Sequence, residues 1–357
     1  MSFPIDPWRY VDVDDSFVED FLAGTVEAVL ELGGWVHPEA RFEARDGQLS
    51  VRCDVPDGEP LMRIPAAAFV RIGKATWTGS DELLEVDGLV AELEPEELGL
   101  LVLQTSLHNA MGKIPWICQA HPVLAPDLSS EVIGAVRAFR PRFRVRQPTP
   151  ASLFWSNRVL RLPTQHSHEP EPVALPLLDL LNHDARGAVG QWTGTEFTVA
   201  VAHAASGDEC FLDYGLQRDA MGMAVVYGFA DASNPYAHSA PLTVEVEGAG
   251  EVTVEARGRS RSGSLLPLRV TAADGAASVN RVSFGPGGVE QAARELHEAG
   301  PWTAATAQSI AASIADANRA LLANLASACP PAASGVGAST AAEALARAAA
   351  HQRDIIA

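Results

Sequence analysis

The chain has 357 residues, enough for two domains with separate cores. It carries 45 acidic against 26 basic side chains, a formal net charge of -19 spread along its length. That balance repels a phosphate backbone and excludes nucleic acid as the natural partner, while a basic protein or peptide segment is easier to accept. No apolar run reaches the roughly 18 residues that a membrane helix needs, and the opening MSFPIDPWRY lacks the basic and apolar regions of a secretory signal. A cytoplasmic protein with no membrane partner is expected.

Ser16 to Gly34 reads as an amphipathic helix, with a capping box in Ser16-Phe17-Val18-Glu19, apolar residues Phe17, Phe21, Val26, Val29 and Leu30, and a Gly33-Gly34 stop. From Arg41 to Val70 short alternating runs broken by Asp46-Gly47 and Pro56-Asp57-Gly58 suggest a small antiparallel sheet. Residues 66 to 147 return to longer apolar periods, as in ELGLLVLQTSLHNAM, and are expected to form a helical insert. LPTQHSHEPEPVALP reads as a Pro- and His-rich loop leading to the apolar LLDLL and then Asn182-His183. EFTVAVAHA and ECFLDYG have the composition of strands, and residues 242 to 256 alternate around Gly-Ala-Gly as a hairpin does. The Arg/Ser/Gly stretch from 257 to 264 reads as a loop. From Val289 onward the chain is Ala-rich with helical spacing, interrupted by PPAASGVGAST. Cys53, Cys118, Cys210 and Cys329 are scattered, without a CxxC pair, so free thiols and no metal site are expected.

Three segments in one order carry a family resemblance. They are PDGEPLMRIP at 56 to 65, PLLDLLNHD at 176 to 184, and GDECFLDYG at 207 to 215 with VYGFADASNPY at 226 to 236. Their Gly-Glu and Ile-Pro, Asp-x-x-Asn-His, Gly-x-Glu, Tyr-Gly, Tyr-Gly-Phe and Asn-Pro elements resemble the SET-domain protein methyltransferases. The likeness is to the branch of the Rubisco large-subunit lysine methyltransferase and the actin histidine methyltransferase. The resemblance implies an α+β fold, with a SET domain of small β-sheets over 1 to 240, a helical insert at about 66 to 147, and a mostly helical substrate-binding domain over 241 to 357. It implies S-adenosylmethionine as cofactor and a protein or peptide substrate, methylated on lysine, with histidine as the alternative acceptor.

Methyl transfer is an in-line displacement in which a neutral nitrogen attacks a methyl group on a sulfonium, so alignment and exclusion of water supply most of the catalysis. By resemblance, Tyr214 is the catalytic tyrosine that orients the incoming nitrogen. Asn182 and His183 would meet the donor, Asp179 would support the same corner, and Arg158 would take the donor carboxylate through a fork-like contact. Phe229 would stack on the adenine or wall the methyl channel, and Gly47 would let bare backbone approach the donor.

The chain departs from the family's pattern at three places. Counting back from Gly58, Asp46 and Gln48 stand where the family has the glycines of Gly-x-Gly, leaving Gly47 displaced by one. Ser156-Asn157-Arg158 is one residue longer than the family's Ser-Arg, and Asp219 stands where Asn is usual. The glycine turn keeps open a second reading, a catalytically silent SET-like module that holds a protein. A third, a metal-dependent hydrolase built on His183-Asp184 with His166 and His168, lacks a matching carboxylate and helical placement.

Overall fold

Asp15 starts the first helix: its carboxylate accepts hydrogen bonds from the Phe17 and Val18 amides, and α1 runs Ser16–Glu31. The cap is therefore one residue before the expected capping box, because a carboxylate at the N-cap also suits the positive end of the helix dipole. The helix buries Val18, Leu22, Val26 and Val29, whereas Phe17 is 64 % exposed. The computed structural model describes residues 6–45, 47–80, 82–86, 92–125, 128–141, 143, 149–203, 207–215, 218–256, 267–273, 275–329 and 340–357. The stretch 257 to 264 and most of PPAASGVGAST lie outside them.

The chain packs as two units, one of residues 1–118 and 148–214, the other of 119–147 and 215–357. The strands of the first unit are β1 (Val11–Val13), β2 (Trp35–Val36), β3 (Ala40–Arg45), β4 (Gln48–Cys53), β5 (Pro60–Pro65), β6 (Val70–Arg71), β7 (Trp77–Gly79), β8 (Leu84–Val86), β9 (Val159–Thr164), β10 (Ser167–Ala174), β11 (Asn182–Ala188), β12 (Gln191–Trp192), β13 (Glu196–Ala200) and β14 (Phe211–Leu212). They form small sheets in the orders β1-β3-β4, β12-β13-β5-β2, β6-β10-β9, β11-β14 and β7-β8. Alternation along β4 turns Leu49, Val51 and Cys53 inward, and Phe42 of β3 with Leu61 and Ile64 of β5 is also fully inside.

The expected loop at 162 to 176 is instead mostly strand. Residues 159–164 and 167–174 pair antiparallel, with an irregularity between Ser167 and Glu171. Pro170 and Pro172 disguise it; β6 pairs with β10 only at Val173 and Ala174, so neither proline has to donate to that neighbour.

Within 66 to 147 the first part is extended: β6, β7 and β8 precede α2 (Pro95–Ala110), α3 (Lys113–Ala120) and α4 (Ser130–Phe139). Helix α2 begins where Glu97 closes its own N-terminus, accepting from the Glu94 amide at 3.0 Å while also pairing with Arg71. Although burial alone would raise it, the Arg71 guanidinium holds the Glu97 carboxyl below its usual range. Helix α5 (Pro150–Ser156), capped by Thr149, follows.

The second unit contains α4, α6 (Ala220–Tyr227), strands β15 (Ala237–His238), β16 (Leu242–Val246), β17 (Gly250–Val254), β18 (Val270–Ala273), β19 (Ala276–Val279) and β20 (Ser283–Phe284), and helices α7 (Gly288–Ala299), α8 (Ala304–Ala328) and α9 (Ala341–Ile356). The expected hairpin is present, with Leu242 opposite Val254 and Val246 opposite Gly250. Its core joins Val252, Val254 and Val279 of the sheet to Ile310, Ile314 and Leu322 of α8 and Leu345 of α9. The class is α+β, with a helical C-terminal region. Among the described residues no helix is long and apolar enough to cross a membrane.

Candidate active site

One short segment joins the motifs. Cys53 donates its amide to Asp208 O at 3.0 Å and Cys210 its amide to Val51 O at 2.7 Å, so 208 to 210 runs beside β4. The next two residues form β14, parallel to β11, with Asn182 opposite Phe211 and His183 opposite Leu212. The approach at that pairing is close: a Cβ on Gly187 would fall 2.7 Å from the Leu212 carbonyl carbon. Segments near residues 50, 182 and 211 are thereby brought side by side.

The Asn182 side-chain amide spends both hydrogens there, one on Leu49 O at 2.9 Å and one on Glu209 Oε1 at 2.8 Å. The residue is exposed, which leaves its amide oxygen open to a ligand. His183 Nδ1 lies 3.1 Å from both the Tyr214 amide and Leu212 O, and its ring packs 5.0 Å from the Tyr214 ring. The Tyr214 hydroxyl donates to Leu181 O at 2.7 Å. With its proton committed to a carbonyl, the phenol oxygen keeps lone pairs with which to accept from an N–H group.

The chain enters this corner under strain. Leu177 has φ of +68°, the left-handed region, and is fully buried; for a non-glycine residue that conformation costs about 1–3 kcal/mol and is held by the packing around it. A short 3-10 turn at Leu178–Leu180 follows and delivers Asn182. Within the turn, Asp179 points inward and takes His108 Nε2 at 2.6 Å, the two side chains being 7 % and 1 % exposed. Burial, with the positive charges of Arg158 and Lys113, drives the His108 pKa down. A neutral imidazole therefore donates Nε2–H to an ionised carboxylate, which His108 and Arg158 keep below its usual range against the effect of burial. Asp179 is a support behind the corner rather than part of its open face.

Arg158 follows α5. Its guanidinium lies 3.9 Å from the Phe154 ring centroid and donates to Phe154 O at 3.3 Å, and its charge acts on His108, Asp179 and Lys113. Gly47 has φ of +73°, and a Cβ there would meet nothing within 4 Å. Sequence reasoning missed Lys113. From the start of α3 its ammonium donates to Gly47 O at 2.9 Å. A signal was present: the chain has only two lysines, and this one follows Gly112 at the end of a strongly periodic helix.

Two further sequence candidates belong to the second unit. Phe229 packs 6.1 Å from the Tyr227 ring and is not among the residues that the first unit brings together. Asp219 is the N-cap of α6 and is 1 % exposed; it accepts from the Gly222 amide at 2.7 Å, the His238 amide at 3.0 Å and Arg140 at 2.7 Å. The departure from Asn is explained by Arg140, which supplies a positive partner that an amide would not use as fully.

The residues of the hydrolase reading are engaged separately. His166 and His168 are in the β9–β10 hairpin, and Asp184 pairs with Arg186 at 2.9 Å. Among the described residues no cluster of three or more His, Cys, Asp or Glu side chains has metal-binding geometry.

Neither a family model nor a curated protein matches this chain. Among solved structures it is similar to the SET domain of LSMT bound to lysine and AdoHcy, at 12 % identity over 96 % of this chain and 89 % of that one, with a TM-score of 0.40. It is also similar to Rubisco LSMT bound to AdoMet, at 13 % identity, 95 % and 89 % coverage and a TM-score of 0.36. A further similar structure, Rubisco LSMT bound to sinefungin and monomethyllysine, has 13 % identity, 96 % and 90 % coverage and a TM-score of 0.35. These are distant likenesses. The weight falls on the residues themselves.

Proposed function

We propose that this chain is an S-adenosylmethionine-dependent protein methyltransferase of SET type, acting on a lysine, with histidine as the alternative acceptor, of a protein or peptide. The observation that carries the reading is the meeting, in one unit, of two motif segments far apart in the chain, at 182–183 and 209–214, with β4, the strand that follows the Gly47 turn. The Asn182 amide bridges Leu49 O and Glu209, while His183 and the Tyr214 hydroxyl close the same corner.

The residues present fit the donor. Gly47 leaves bare backbone beside open space, Asn182 offers an amide oxygen, and Arg158 supplies a cation for a carboxylate. When bound, the donor supplies an electrophilic methyl group. The protein's own task is to orient the acceptor nitrogen, and the Tyr214 oxygen suits that task because its proton is held by Leu181 O. A lysine acceptor must first lose a proton, which costs about 4–5 kcal/mol in water at pH 7; a dry, positively charged site lowers that cost. Asp179 and His108 hold the turn from behind, and the helical C-terminal region is the part proposed to grip the protein substrate.

Calorimetric titration with S-adenosylhomocysteine tests the reading: wild-type protein binds, and Asn182→Ala loses about 1–3 kcal/mol of affinity because a polar group of the bound ligand goes unpaired. The second reading, a silent protein-holding module, is favoured by Gly47 standing alone at the glycine turn. Absence of wild-type binding at millimolar ligand replaces the first reading with the second.

A further inference from the structure

We propose that Lys113 is a second cation of the donor site, reaching over the Gly47 turn to share with Arg158 the carboxylate of the donor's amino-acid part. The proposal rests on the methyl-donor reading above and adds to it a residue from the helical insert. Lys113 lies 66 positions from Gly47, yet its Nζ is 2.9 Å from the Gly47 carbonyl. Two residues further on, in β4, Leu49 O takes the Asn182 amide. The ammonium is thus attached to the segment that anchors the Asn182 corner, at its glycine end.

The electrostatics of the position support a ligand rather than a finished ion pair. An ammonium has three hydrogens and Gly47 O takes one. Burial first, then the positive charge of Arg158, lowers the Lys113 pKa to about 8, and no carboxylate is among the causes of that shift. Both cations also press on buried His108. Arg158 already acts on the Asp179 carboxylate, whereas no carboxylate acts on Lys113, so a ligand anion within reach of both would offset the repulsion that the second cation brings. A carboxylate is small enough to accept a forked pair from a guanidinium and a point contact from an ammonium.

The test compares two ligands on wild-type, Lys113→Met and Lys113→Arg proteins by calorimetry. One is S-adenosylhomocysteine; the other is 5′-methylthioadenosine, which keeps the nucleoside and sulfur but lacks the amino acid and its carboxylate. Lys113→Met weakens S-adenosylhomocysteine roughly tenfold or more and leaves 5′-methylthioadenosine within about twofold, while Lys113→Arg retains most of the affinity. Unchanged methylthioadenosine binding also reports an intact fold; if Lys113→Met does not fold, Lys113→Gln takes its place. Equal weakening of both ligands means that the lysine only orders the turn, and no weakening means that it takes no part; either overturns the inference while leaving the donor reading standing. Failure of wild-type protein to bind either ligand overturns both.

Discussion

The Asn182 amide reaches Glu209 Oε1 at 2.8 Å across 27 residues, so the Asn-His corner and the strand before Tyr214 are tied by side chains as well as by backbone pairing. Removing the carboxylate frees one amide hydrogen and loosens the attachment. Glu209→Ala lowers unfolding free energy by about 0.5–1.5 kcal/mol, the range of a single accessible hydrogen bond. Urea titration checks this; a larger loss, with a changed denaturant slope, would point to wider rearrangement.

At Asp219 the prediction is steeper. The carboxylate serves the Gly222 amide, the His238 amide and Arg140 together. Asp219→Asn keeps a capping oxygen but loses the charge facing Arg140, costing about 1–3 kcal/mol. Asp219→Ala abandons all three partners and costs about 3–5 kcal/mol. Thermal melts of both variants give the order; an Asp219→Asn protein as stable as the wild type would show that the charge facing Arg140 contributes nothing.

His121 predicts a pH dependence. Its Nε2 donates to Val226 O at 2.7 Å and its Nδ1 accepts from the Val123 amide at 3.1 Å, so the neutral ring is fully used. A second ring proton would face an N–H group. Burial lowers the pKa below its ordinary value, against the pull of the Val226 carbonyl, and His108 is shifted in the same direction. As pH falls below about 6.5 the unfolded chain takes up protons that the folded one refuses, so stability falls with pH. The slope approaches about 1.4 kcal/mol per unit for each such histidine. Urea midpoints between pH 7 and 5 measure it; a flat profile would mean that both rings protonate freely in the fold.

The sequence was legible where local chemistry and tertiary position agree. The α1 period and the 242 to 256 hairpin were readable because side-chain spacing alone marks them, and the Asn182-His183 and Tyr214 motifs because they resemble a family's pattern in the same order. Residues 159 to 174 misled because their prolines argue against a strand, and only the pairing pattern shows that β6 stops short of Pro170 and Pro172. Asp15 lost to Ser16 as the expected cap because the two are adjacent and both cap well. The scarcity of lysine marks Lys113, but its meaning lies in a contact 66 residues away, which no local pattern locates. Asp179 was placed in the right corner, but that its carboxylate turns inward depends on His108, a residue of a different helix.

Transfer of a labelled methyl group from S-adenosylmethionine into a protein extract, by wild-type and Tyr214→Phe proteins side by side, tests the central claim most directly. The substitution removes one hydroxyl and its bond to Leu181 O while keeping the ring that packs on His183. The account predicts label in protein with the wild type and a fall of roughly 100-fold or more with the variant, in the range seen when a positioned group acts in the transition state. No incorporation by wild-type protein, or equal incorporation by the two, would contradict it.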